Sequence, residues 1–392
     1  MSQRRPVSPF ATLKSRALQA LTMARLMQRG VLKPEPTPVG GPDERVFIGP
    51  ANSAGQGDQW ARALELARTG TRATSMQIVS DDVFRFPADL TVHAGYAAFS
   101  KAWQRRQFVA LSEYRAVLVE SNRGVLGRFR GTDALEQADL LQRAGTQVGL
   151  IFHGSDIRDP GTRIRADRDS YFGADAEFTA TMSGVTKRSR RLIEESGLPV
   201  FVSTVDLLTE VPHASWLPVV VSPEDWAGAP APLSHGGVPR VVHVPSKSLI
   251  KGTDLIEPLL NELHASGIVD YRRVTGVPHA EMPELYRGAD IVLDQFRAGP
   301  YGVAACEAMA AGRIVISHVP DLDRQRVAEL TGHRLPIVQA RHDDLRDVLT
   351  AVLTDPAEAL ARAAAGPEYV HRIHNGDRSG RVLADWLDRG ER

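Results

Sequence analysis

The chain holds a single cysteine, Cys306, among 392 residues. One thiol excludes an intramolecular disulfide and any metal site built from several cysteines, and it fits a reducing compartment. Long apolar runs are also missing: none approaches the roughly 20 residues that span a bilayer. The N-terminus lacks the continuous apolar core of a secretory signal, so a cytoplasmic location is expected. Net charge is absent as well, since Lys+Arg and Asp+Glu each number 47. Nothing global therefore points to nucleic acid.

Acids are lacking from one stretch in particular. Residues 1–34 contain Arg4, Arg5, Lys14, Arg16, Arg25, Arg29 and Lys33 and no Asp or Glu. Within it, LKSRALQALTMARLMQRG sets Leu13, Leu18, Leu21, Met23, Leu26 and Met27 among the bases at loosely helical spacing. The pattern predicts a basic amphipathic helix ending at Gly30. Such a helix can lie on an anionic membrane surface, each cation contributing about 1 kcal/mol. It can equally pack on its own protein.

What is present is a repeated alternation. The stretches RVFIGP, SMQIV, YRAVLVE and TQVGLIF read as buried strands. Amphipathic segments lie between them: GDQWARALELAR, FSKAWQRRQFVALS and TDALEQADLLQRAG. Nearly all-apolar strands separated by amphipathic helices indicate a parallel sheet covered on both faces. Residues 154–184 read as polar and irregular, followed by a helix, GVTKRSRRLIEESG, and a strand, PVFVST. The Pro- and Gly-rich SPEDWAGAPAPLSHGGVPR reads as a linker. The alternation then restarts with VVHV, TDLIEPLLNELHASG, VDYRRVTG, AEMPELYRGA, DIVLDQF, VAACEAMAAG and RIVISHV. A chain this long exceeds one core. The expected division is a basic extension over 1–44, an α/β domain over 45–222 and a linker over 223–240. A second α/β domain follows over 241–366, then a C-terminal helix over 367–392 that packs back toward the first domain.

In open parallel sheets, ligands sit at the carboxyl ends of strands, so four turns are candidates. After the first strand, Gly55, Gln56 and Gly57 precede a helix, where backbone amides can cradle an anion. After TQVGLIF, His153, Ser155 and Asp156 emerge together, suited to a sugar hydroxyl or phosphate. After VVHV, Lys247 and Lys251 can neutralise a diphosphate. After DIVLDQF, Gly299, Pro300 and Gly302 shape a turn into a helix of small residues that bears Glu307. A carboxylate there can accept both hydroxyls of a ribose while the helix N-terminus holds phosphates. Its neighbours are apolar or small, so a partner is expected for it.

The segments HVPSKSLIKGTD, DIVLDQFRAGPYGVAACEAMAAGRIVI and FHGSDIR together resemble retaining glycosyltransferases of family 4, which have the GT-B fold. The resemblance implies two Rossmann-like α/β domains with parallel sheets facing across a cleft. It implies that Glu307 is the second acid of an E-x7-E pair that holds the donor ribose. It assigns Lys251 to the donor diphosphate and His153 to the donor sugar. Tyr301, Gly302 and Val303 match the turn facing sugar and phosphate. Gly55, Gln56 and Gly57 match a loop near acceptor and donor phosphate. Pro278 and Met282 match the nucleobase region. Two positions depart from the family pattern. Gly299 stands where the first acid falls, with Asp294 and Gln295 as the nearest polar substitutes, and Ser246 stands where an arginine falls, beside Lys247.

The implied activity is transfer of a sugar from a nucleoside diphosphate sugar to an acceptor hydroxyl. No cofactor is expected. No metal is expected either, as no Asp-x-Asp pair ends a strand. The partners implied are the donor, an acceptor that is lipid-linked or a glycan, no nucleic acid, and a membrane surface through residues 1–34. Two alternatives stay open: a sugar-nucleotide epimerase on the same fold, and a non-catalytic relative that binds nucleotide sugars.

Overall fold

The structure is a computed structural model that describes residues 20–41, 44–80 and 86–390. Two parallel sheets organise it. The first has seven strands: β1 (Glu44–Gly49), β2 (Thr71–Val79), β3 (Leu90–His93), β4 (Ala116–Glu120), β5 (Gln147–Phe152), β6 (Val200–Val202) and β7 (Ser215–Trp216). Their order is β3-β2-β1-β4-β5-β6-β7. The second has five: β8 (Arg240–His243), β9 (Asp270–Arg273), β10 (Ile291–Leu293), β11 (Ile314–Ser317) and β12 (Val338–Gln339), in the order β12-β11-β10-β8-β9. The chain divides into two compact units. One holds the described residues up to 61 together with 69–150 and 192–199. The other holds 62–68, 151–191 and the described residues from 200 on.

The five-stranded sheet shows why its strands read as continuous apolar runs. Val241, Ile291, Leu293, Ile314 and Ile316 point to one face, against Ile256, Leu260, Leu345 and Leu349. Val242, Val292 and Val315 point to the other, against Met282, Tyr286, Tyr301, Met309 and Val370. Side chains alternate across a strand, so a sheet covered on both faces needs apolar residues at every position. Helix Val303–Ala310 lies close to helix Ala357–Ile373. A Cβ on Gly366 would fall 2.6 Å from the Met309 carbonyl oxygen, so only glycine permits this approach.

Several elements differ from the sequence expectation. The segment FSKAWQRRQFVALS forms helix Lys101–Leu111 as expected, and a further short helix, Ala94–Phe99, precedes it. Ser100 divides them, its hydroxyl accepting from the Trp103 amide at 3.3 Å as a helix cap. Residues 154–184 are not irregular: they contain helices Pro160–Ala166 and Tyr171–Ala174 and the start of Ala176–Ser196. Asp159 caps the first, with Pro160 at its first turn. The short strands β3, β7 and β12 lack the apolar runs that betray inner strands. Of the basic N-terminal segment, residues 20–28 are helical and the chain turns at Gly30 with φ +70°. Leu26 is buried there, while Leu21 and Met27 are exposed. Residues 1–19 lie outside the described residues. Among the described residues no helix is long and apolar enough to cross a membrane.

Candidate functional site

Each sheet has one place where the strand order reverses. In the second sheet it lies between β8 and β10, neighbours from which the chain continues to opposite sides. Grooves form at such points beyond the carboxyl ends of the strands. Asp294 follows β10 directly, and the loop after β8 leads to Lys251.

Lys251 ends the short helix Ser248–Lys251, and Gly252 follows with φ +72°. A Cβ on Gly252 would meet Arg297 Cγ at 2.9 Å, so both conformation and space demand glycine after this lysine. The Lys251 ammonium donates to Asp294 Oδ1. Asp294 is buried, and among the described residues its Oδ2 has no hydrogen-bond partner. Below them, His243 Nδ1–H donates to the Leu293 carbonyl oxygen at 2.9 Å, and its Nε2 accepts from Thr253 Oγ1 at 2.9 Å. Burial lowers the His243 pKa to about 4, so the ring is neutral at pH 7. Ser246 and Lys247 are exposed on the loop.

The turn that follows β10 is built on Gln295. Its Oε1 accepts from the Ala298 amide at 2.7 Å and the Gly299 amide at 2.9 Å. Its Nε2 donates to the carbonyl oxygens of Pro300 at 2.9 Å and His318 at 2.6 Å. A primary amide offers two donors and one acceptor oxygen, and all are engaged within the protein. Gln295 therefore shapes the turn and has no capacity left for a sugar. Gly299 has φ +88°, a conformation that disfavours a glutamate at this position. The Tyr301 hydroxyl points into the protein, 3.0 Å from Tyr369 Oη and 3.2 Å from His374 Nε2. His374 Nδ1–H donates to the Val219 carbonyl oxygen at 2.8 Å, so Nε2 accepts from Tyr301. Burial lowers the His374 pKa to about 4.

Gly302 then opens helix Val303–Ala310, which presents Glu307 on its second turn. The Glu307 side chain is 7% exposed. Its Oε1 lies 2.8 Å from Nε2 of His279. Desolvation raises the Glu307 pKa, opposed by the His279 hydrogen bond and charge and by Lys251. The same hydrogen bond raises that of His279. Pro278 is exposed beside it, whereas Met282 is buried in the core. Glu307, His279, Lys251 and Asp294 thus form one electrostatically coupled group in which each charge has an opposite neighbour.

The first sheet reverses between β1 and β4. There the turn of Gly55, Gln56 and Gly57 is buried, and a carboxylate of the chain holds the backbone just ahead of it. Glu120, the last residue of β4 and fully buried, accepts from the amides of Ala51 and Asn52, each at 2.8 Å. The Asn52 side chain in turn accepts from the Asp58 amide at 3.1 Å. An anion brought to these amides would have to displace a buried glutamate.

At the end of β5, Asp156 turns back on its own loop. Its carboxylate accepts from the His153 amide at 3.0 Å and the Gly154 amide at 2.6 Å. Ser155 Oγ lies 3.1 Å from Tyr171 Oη. A Cβ on Gly154 would fall 2.6 Å from an Arg158 nitrogen, and Arg158 is paired with buried Asp206 at 2.8 Å. Asp156 thus orders the loop that presents His153.

Spacing gave no sign of three other groups. His279, Glu120 and Arg341 find partners far along the chain. Arg341 donates to Asp167 at 2.8 Å and also to Asp169. His318 Nδ1 lies 2.9 Å from the Gln339 side-chain nitrogen, and its Nε2 lies 3.1 Å from an Arg341 nitrogen and 3.3 Å from Asp167. Asp167 and Asp169 form an Asp-x-Asp pair between two helices, and Asp321 and Asp323 form another at the start of helix Asp321–Thr331. Neither follows a strand directly.

These features define an α/β protein with two parallel sheets, of the GT-B type found in glycosyltransferases. Among solved structures, sucrose-phosphate synthase from Thermosynechococcus elongatus aligns with TM-score 0.58 at 14% identity, over 88% of this chain and 98% of that one. Anabaena HepE in complex with UDP and glucose aligns with TM-score 0.57 at 13% identity, over 88% of this chain and 99% of that one. WaaG, a glycosyltransferase involved in lipopolysaccharide biosynthesis, aligns with TM-score 0.50 at 12% identity, over 86% and 99%. No family model matches the sequence, and no curated protein is similar to it in sequence. At such identities the likeness speaks for the fold, and the chemistry must come from the residues.

Proposed function

We propose that the protein is a glycosyltransferase of the retaining family 4 kind, moving a sugar from a nucleoside diphosphate sugar to an acceptor hydroxyl without a metal ion. The observation that supports this best is Glu307: a buried carboxylate on the helix that follows the strand-reversal turn of the second sheet, within electrostatic range of Lys251. Its oxygens would accept the ribose hydroxyls. UDP is the first nucleotide to test, because HepE is solved with UDP-glucose.

Cleavage of the glycosidic C–O bond leaves its electron pair on the diphosphate. The Lys251 ammonium would share itself between Asp294 and that developing charge, and the first amides of helix Val303–Ala310 would add their donors. The acceptor oxygen bonds to the anomeric carbon from the side the diphosphate leaves, and its proton passes to the departing phosphate oxygen. Atoms and charge then balance without a protein nucleophile, and configuration is retained. The exposed Leu21 and Met27 beside Arg25 and Arg29 favour an acceptor held at an anionic membrane surface.

A thermal-shift series over UDP-, GDP- and ADP-sugars tests the reading, since binding to the folded state raises the melting temperature. The account expects a shift with one of them and its loss in Glu307→Ala. A full shift in that variant would remove Glu307 from the donor site. Turnover of the nucleotide sugar alone, without acceptor, would favour the epimerase instead.

A further inference from the structure

Among the described residues His279 is the sole hydrogen-bond partner of the Glu307 carboxylate, and the sugar transfer gives it no role of its own. It opens the short turn His279–Glu281 ahead of helix Met282–Arg287. Its side chain is 45% exposed, so burial did not force a histidine here. The ring stands edge-on to Trp226, with centroids 5.9 Å apart and planes at 67°. That contact limits the ring's rotation and keeps Nε2 aimed at Glu307. A carboxylate has about four acceptor positions, and His279 takes one of them.

We propose that His279 is a positioning residue for nucleotide binding: it fixes Glu307 in one orientation, so that the free acceptor positions of the carboxylate meet a ribose diol. This rests on the donor-site reading above. Glu307 faces His279, Lys251 and Asp294, and lies near the Cys306 thiol and the Tyr286 phenol. His279 faces Glu307 and Asp225. Removing His279 takes away the hydrogen bond that supports the ionised carboxylate while the desolvation remains. Protonation of Glu307 then moves toward neutral pH, and a protonated acid accepts less well from a diol.

The test is the dissociation constant of UDP, or of GDP or ADP if one of these gives the larger thermal shift, measured from pH 8 to pH 6 on the full chain. The wild type should bind best toward pH 6, because the hydrogen bond to Glu307 raises the His279 pKa above its ordinary value and the ring is charged there. His279→Ala should bind about 3-fold more weakly at pH 8 and about 10-fold more weakly at pH 6. His279→Gln, which keeps a donor, should recover most of the affinity at pH 8. If His279→Ala parallels the wild type across the range while Glu307→Ala loses binding, the role of His279 is wrong and the donor site stands. If Glu307→Ala binds as the wild type does, or no nucleotide binds, the donor site falls and this inference with it.

Discussion

The two strand-reversal points of this protein look alike in sequence and are filled differently. Each has a glycine-rich turn leading to a helix. At the first, Glu120 takes the amides of Ala51 and Asn52 and brings a negative charge to the place an anion would use. At the second, neutral Gln295 shapes the turn, and the charged groups form two pairs, Lys251 with Asp294 and His279 with Glu307. A pair can open to a ligand that offers a replacement charge or hydroxyl, because neither partner is left bare. A glutamate that satisfies a buried and a partly buried amide cannot leave without orphaning them. The occupant of a turn decides whether it can bind anything from outside.

That contrast can be broken most sharply with acid. His243 and His374, both in the second unit, are buried neutral, with pKa values lowered to about 4. An unfolded histidine titrates near 6.5, so between these values the unfolded chain binds more protons and stability rises with pH. The contribution is fully present above about pH 6.5 and is lost as pH falls toward 4. By about pH 5 the loss should be about 2 kcal/mol for each ring. Chemical denaturation at pH 7.5 and 5 checks this, and replacing both histidines should flatten the difference.

Glu120→Ala comes next. It leaves one buried and one partly buried amide without this acceptor and should cost about 2–3 kcal/mol of stability. Nucleotide affinity should stay within about 3-fold of wild type; a much larger loss would bring the first turn back as a phosphate site. Glu307→Ala should reverse the balance: affinity for the nucleotide falls about 30- to 100-fold, equivalent to about 2–3 kcal/mol, with a smaller change in melting temperature. Gly252→Ala should have the smallest effect, about 1–2 kcal/mol of stability, from strain at φ +72° and the close Arg297 side chain. Denaturation midpoints of that variant against wild type measure it.

Much of the framework was legible because inner strands of a parallel sheet are short, continuous apolar runs. VVHV, DIVLDQF and RIVISHV gave β8, β10 and β11, and the Gly turn before VAACEAMAAG gave the helix that bears Glu307. Edge strands such as β3 and β12 are short and partly exposed, so no pattern marked them. The partners of the site's charges were hidden for a different reason. Glu120 lies 69 residues from Ala51, and His279 lies 28 from Glu307. Nothing in local spacing links such pairs; only the crossovers of the fold bring them together. Gln295 stood out as a polar residue near the missing acid, but which hydrogen bonds it makes depends on the path of the turn.

The most direct measurement is a crystal structure of the protein with a bound nucleoside diphosphate. The account predicts ribose hydroxyls within hydrogen-bond distance of Glu307, with His279 still on the carboxylate and a diphosphate oxygen on Lys251. A nucleotide seated instead on the Gly55–Gly57 turn, with Glu120 displaced and Glu307 still paired only to His279, would contradict it.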